Sequence, residues 1–69
     1  MKTLEEIKWE LENIKVDNKA WYAFEDEDWG NGTDSAEEAA RALANGECNH
    51  IVVINDNESP IAVGVVFAD

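Results

Sequence analysis

The sequence predicts a small α+β domain in which two helices pack on a three-stranded mixed sheet, in the order α-β-α-β-β. Apolar residues recur at helical spacing near the start of the chain, and an alanine-rich stretch in the middle repeats that pattern. Three separate runs are rich in β-branched or aromatic residues, which favour strands. The 69 residues are expected to form one acidic domain, 1–69, close to the lower size limit for a single apolar core.

The first helix is predicted to begin at Thr3. Thr3 and Glu6 stand three residues apart, as in a capping box, where each side chain bonds the backbone amide of the other residue. The apolar stripe that follows at spacings of three and four consists of Leu4, Ile7, Leu11 and Ile14. Because Ile7, Trp9 and Leu11 also alternate, a strand is the rival interpretation. On a helix, Trp9 lies off the stripe and is a candidate for an interface.

Strand one is predicted over Ala20–Phe24, an aromatic-rich run. Successive side chains of a strand point to opposite faces, so we expect Tyr22 and Phe24 on one face and Trp21 and Ala23 on the other.

Helix two is predicted to begin at Asp34 or Ser35, since either side chain can cap a helix. Glu37 or Glu38 then stands three residues after the cap. The helix is expected to end at Asn45-Gly46, because glycine is the residue that most often follows a helix C-terminus.

Strands two and three are predicted over His50–Asn55 and Ile61–Phe67, joined as a hairpin by a polar link. Strand one, helix two and strand two are expected to form a right-handed crossover with parallel strands. Strand three then presents two apolar faces. The face with large side chains consists of Ile61, Val63, Val65 and Phe67, and the face with mostly small ones consists of Ala62, Gly64 and Val66. Both faces need cover, which predicts either one helix on each face or self-association as a homodimer.

The charge of the chain excludes some partners. The formal net charge is −11, and residues 25–38 hold seven carboxylates and no basic residue. Such a chain repels nucleic acid and anionic membranes, so the expected charged partner is a basic protein. A single cysteine excludes an intrachain disulfide, and the sequence begins without an apolar signal segment, so a soluble cytoplasmic protein is expected.

The acidic segment indicates a non-enzymatic interaction protein, an inhibitor or adaptor. Its carboxylates would stand in for phosphates in the basic groove of a nucleic-acid-binding protein, as in small acidic phage proteins that inhibit host defences. The residues expected to contact the partner are Asp26, Glu27, Asp28, Asp34, Glu37 and Glu38, with Trp29 and Trp9 as aromatic anchors. The plain alternatives are an acidic loop that only keeps the protein soluble, and a structural homodimer.

A Ca²⁺-binding module is a further alternative. When Asp26 is counted as position 1, carboxylates fall at positions 1, 3, 9 and 12 of a twelve-residue loop: Asp26, Asp28, Asp34 and Glu37. This matches the ligand spacing of an EF-hand loop. However, Asn31 stands where that motif has glycine, and a predicted strand precedes the loop instead of a helix.

Catalysis is not expected. Cys48 and His50 are the only thiol and the only imidazole, and their spacing would place them on one side of a strand. No other cysteine or histidine completes a zinc site. A small buried thiol and a surface histidine are the simpler interpretation, so neither a catalytic residue nor a cofactor is predicted.

Overall fold

Two helices and four strands make up the part of the chain that the computed structural model describes, residues 1–14, 20–25, 30–55 and 61–69. In chain order they are α1 (Leu4–Ile14), β1 (Ala20–Phe24), β2 (Gly32–Thr33), α2 (Ala36–Ala44), β3 (His50–Asn55) and β4 (Ile61–Phe67). The strands form one sheet in the order β2-β1-β3-β4, and every neighbouring pair is antiparallel. The α+β class and the hairpin of the last two strands are confirmed.

The prediction of a three-stranded mixed sheet was wrong, because it missed β2. The chain turns back after β1 at Glu25, whose φ of 70° is unusual for a residue with a side chain. The Phe24 amide donates to the Asn31 carbonyl at 2.9 Å, and Tyr22 then pairs with Thr33. This reversal makes β1 antiparallel to β3, so the expected parallel crossover between them does not exist. Instead, α2 connects β2 to β3, which run in the same direction with β1 between them.

Both helices lie on the same face of the sheet. They pack against each other and share one core with the sheet, whose largest fully buried side chains are Ile7, Leu11, Leu43, Ile51, Val53 and Val66. One helix on each face, the first of the two arrangements expected, is therefore wrong. The second face has a small buried cluster of Ala23, Val52 and Ile54, against which Trp21 packs. The predicted division of β1 between the two faces is confirmed.

A β-bulge in β4 divides the large apolar face predicted for this strand. Val53 pairs with Gly64 but the next residue, Ile54, pairs with Ala62, so Val63 is the extra residue. Val63 packs against the helix-side core. Val65 and Phe67 are 44% and 55% exposed. The predicted partition of β4 was wrong because a bulge interrupts the alternation of side chains.

Caps determine where the helices begin and end. In α1 the Glu6 amide donates to Thr3 Oγ1 at 3.2 Å and the Thr3 amide to Glu6 Oε1 at 3.4 Å, which confirms the capping box and excludes the rival strand. In α2 the N-cap is Ser35, and Gly46 with φ of 76° follows the C-terminus. Neither helix in the described ranges is long and apolar enough to cross a membrane.

Candidate protein-binding surface

Trp9 lies on the solvent-facing side of α1. Its side chain is 66% exposed, whereas Ile7 and Leu11 on the opposite side of the helix are fully buried. Its backbone carbonyl accepts a hydrogen bond from Asn13 Nδ2 at 2.8 Å. The expectation that Trp9 lies off the apolar stripe is confirmed. Trp9 is therefore a large aromatic side chain that the fold leaves in solvent, and tryptophan is among the residue types enriched at protein interfaces.

Carboxylates surround the Trp9 indole because of helical spacing. Residues three or four apart share one side of a helix, which puts Glu5 and Glu6 one turn before Trp9 and Glu12 one turn after it. We call these four residues the Trp9 surface. A shallow groove of about 490 Å³ is lined by Glu5, Glu6, Trp9 and Glu10. A second, of about 340 Å³, is lined by Glu5, Lys8, Trp9 and Glu12.

The Trp9 surface is negative. Glu10, beside it, is paired with Lys2 at 2.9 Å. None of the ion pairs within the described residues involves Glu5, Glu6 or Glu12. Glu6 is nevertheless held in place, since its Oε1 accepts from the Thr3 hydroxyl at 3.1 Å and from the Thr3 amide. Within the described residues, the carboxylates of Glu5 and Glu6 are therefore not neutralised by an ion pair.

The acidic segment singled out in the sequence is described only in part. Asp26, Glu27, Asp28 and Trp29 lie outside the described residues. Asp34, Glu37 and Glu38 are described, and all three are exposed at or near the start of α2. Glu37 faces Arg41 one turn later at 3.9 Å, a weak pair because both side chains are largely exposed.

Thr33 connects Glu38 to the helix cap. Its buried hydroxyl donates to Glu38 Oε2 at 2.9 Å and accepts from the Ser35 amide at 3.1 Å. The Glu38 amide donates in turn to Ser35 Oγ at 3.2 Å. A plain capping box would have Glu38 reach the Ser35 amide directly, whereas here Thr33 stands between them. Glu38 is thus a structural carboxylate as well as an exposed one.

No Ca²⁺-binding site is formed by the described residues. Asp26 and Asp28, two of the four predicted ligands, lie outside them, while Asp34 and Glu37 are exposed. No group of three or more His, Cys, Asp or Glu side chains within the described ranges is placed to hold a metal ion. Ca²⁺ binding stays a prediction, to be tested by calorimetry.

Cys48 and His50 have separate surroundings. Cys48 is buried in the helix-side core, whereas the His50 ring lies against Phe67 of β4, with ring centroids 5.5 Å apart. Burial raises the pKa of the Cys48 thiol, and the charges of Glu25 and Glu47 raise it further. A raised thiol pKa opposes the activation that a nucleophilic cysteine requires.

Comparison of the chain with protein-family models, with curated proteins and with solved structures returned no match. The function is therefore argued from the residues themselves. Sequence reasoning identified Trp9 as an interface candidate but did not include the carboxylates around it in the predicted interface. The signal was present, since Glu5, Glu6 and Glu12 stand at helical spacing from Trp9.

Proposed function

We propose that this protein is a small acidic, non-enzymatic interaction protein that binds a basic protein partner in the cytoplasm and acts as an inhibitor or adaptor. The observation that carries the proposal is the 66% exposure of Trp9 on a helix side whose neighbouring residues include Glu5, Glu6 and Glu12. An exposed indole supplies the apolar anchor of a binding surface, because aromatic side chains dominate the energetics of many interfaces.

The negative charge of the protein determines which class of partner it can bind. The net charge of −11 attracts a basic protein from a distance and speeds its approach, an effect that salt screens. The same charge repels nucleic acid. Carboxylates can occupy a groove that otherwise binds phosphates, so a nucleic-acid-binding protein is the partner class that this chemistry suits best.

Asp34, Glu37 and Glu38 extend the proposed surface. Because α1 and α2 pack side by side on one face of the sheet, their outward sides belong to one side of the molecule. Carboxylates of both helices can then contact one partner. We propose that residues 26–29, with three more carboxylates and Trp29, take part in the same contact.

The proposal is tested by capture of basic proteins from a cell lysate on the immobilised protein, at low and at high salt. Two variants with the same change of net charge are compared. Glu5→Gln/Glu12→Gln removes charge from the Trp9 surface, whereas Glu47→Gln/Asp69→Asn removes exposed carboxylates outside it. A captured protein is then tested for displacement of its nucleic acid by the free protein.

Support requires salt-sensitive capture that the first variant weakens more than the second, together with displacement of nucleic acid. Capture that molar salt leaves unchanged, or that both variants weaken equally, contradicts the proposal. A captured partner that keeps its nucleic acid bound contradicts the inhibitor role alone.

A homodimer is the second candidate, favoured by the exposure of Val65 and Phe67 on the sheet face opposite the helices. Sedimentation at two protein concentrations distinguishes the two candidates, because a stable dimer keeps its mass on dilution. Phe67→Ser should dissociate such a dimer. If the original protein is a monomer at both concentrations, the homodimer is no longer a candidate.

A further inference from the structure

We propose that the Trp9 surface receives an arginine side chain of its partner, with the guanidinium stacked on the Trp9 indole and paired with Glu5 and Glu6. This inference rests on the proposed function, because it names the group through which the basic partner binds. It assigns the guanidinium to one of the two grooves, the one lined by Glu5, Glu6, Trp9 and Glu10.

The choice of groove follows from the charges that line it. Lys8 lines the second groove and would repel a cation there. In the first groove the described lining residues are the indole and three carboxylates, of which Glu10 is already paired with Lys2. Glu5 and Glu6 are thus the carboxylates in this groove that can pair with a cation of the partner.

Glu6 is organised to accept a hydrogen bond. In the described part of the chain both capping bonds from Thr3 reach Glu6 Oε1. They hold the carboxylate in place and leave Oε2 as an acceptor, so little conformational entropy is lost when a donor arrives. The cap that begins α1 therefore also prepares a binding group.

The chemistry favours arginine over the other candidate ligands. An apolar group would desolvate the carboxylates without pairing them, which is costly, and an anion would be repelled. A lysine ammonium can pair with a carboxylate, but it is strongly hydrated and offers no flat surface. A guanidinium is planar and weakly hydrated, stacks on an indole and presents several donors to carboxylates at the same time.

Nuclear magnetic resonance of the indole N–H groups tests the inference. The chain has three tryptophans, and Trp9→Phe identifies the Trp9 signal. The probes are peptides in which alanine alternates with arginine, with lysine, or with the uncharged arginine isostere citrulline. We expect the arginine peptide to shift the Trp9 signal and to bind at least about threefold more tightly than the lysine peptide. The citrulline peptide should bind more weakly than either.

Variants separate stacking from charge. Trp9→Leu should abolish the preference for arginine and keep the weaker, salt-sensitive binding of both cationic peptides. Trp9→Phe should retain part of the preference, because its ring can still stack. Since Trp9 is 66% exposed, both variants should fold, which circular dichroism verifies. Glu5→Gln should weaken the arginine peptide more than Glu47→Gln does.

The outcomes distinguish the two proposals. Equal, salt-sensitive binding of the arginine and lysine peptides overturns the arginine assignment and leaves the proposed function standing. Failure of every peptide to shift the Trp9 signal also overturns the assignment. The proposed function itself is removed only by the lysate experiment, in which capture fails, withstands molar salt or is weakened equally by both double variants.

Discussion

Gly64 of β4 lies directly beneath Ile14 at the end of α1. A Cβ atom built on Gly64 would come within 2.7 Å of Ile14 Cγ2, closer than real Cβ contacts allow. The last turn of α1 therefore rests on the bare backbone of the strand, and the glycine is required by the close approach of the two elements.

Gly64→Ala should lower the free energy of unfolding by about 1–3 kcal/mol, because the added methyl group overpacks this contact. Urea denaturation measures the loss. Combining Gly64→Ala with Ile14→Ala should cost less than the sum of the two single changes, because the clash is gone. An alanine variant as stable as the original protein would show that α1 can shift freely on β4.

Thr33→Val should lower the free energy of unfolding by about 1–2 kcal/mol. The change keeps the shape of the side chain but removes the hydroxyl that donates to Glu38 and accepts from the Ser35 amide. Thermal melting and urea denaturation measure the effect. Glu38→Gln is the matched control, since its amide oxygen can still accept from Thr33, and it should cost less. An equal loss in both variants would mean that the charge of Glu38 matters more than the bond.

Cys48 should react slowly with a thiol reagent in mildly alkaline buffer. Its thiol is buried, and its pKa is raised by that burial first and by Glu25 and Glu47 after it, so little thiolate forms. Colorimetric titration should show that urea unfolding restores the rate of an ordinary cysteine. Glu47→Gln should raise the rate at a given pH. A native rate equal to the unfolded one would contradict the buried position of the thiol.

The free energy of unfolding should fall as the pH rises through and above the usual pKa of tyrosine. Burial raises the pKa of the Tyr22 hydroxyl, and the charge of Glu12 raises it further. The unfolded chain then loses this proton at a lower pH than the folded protein, so raising the pH between the two values favours unfolding. Urea denaturation across this range should show a smaller fall for Tyr22→Phe. Cys48 contributes in the same direction, so some fall should remain. If the free energy of unfolding of Tyr22→Phe fell as steeply with pH as that of the original protein, the assignment of this fall to Tyr22 would be wrong.

The sequence was sufficient where local chemistry decides the structure. Thr3 with Glu6 begins α1, and Ser35 and Gly46 bound α2, because caps are short-range interactions that leave a direct pattern. The alternation in Ala20–Phe24 predicted which side chains share a face of the sheet. The exposure of Trp9 was predicted from its position on the side of α1 opposite the apolar stripe.

The sheet was harder to predict because its topology depends on long-range pairing. β2 has only two residues, Gly32 and Thr33, which carry no hydrophobic signal, and yet it reverses the chain and makes the sheet antiparallel. The bulge at Val63 is a property of the pairing with β3, which a single strand does not reveal. The Thr33–Glu38 bond is of the same kind, since neither residue alone indicates it.

The two outer edges of the sheet also bear on aggregation. Exposed strand edges are templates on which further chains can add and grow into fibrils. Here β2 is too short to serve as one, and β4 is distorted by its bulge. Near the end of β4, the Lys2 amide donates to the Ala68 carbonyl at 2.8 Å and Lys2 Nζ to the Phe67 carbonyl at 3.0 Å. A chain rich in valine and isoleucine should therefore resist fibril growth even in concentrated solution.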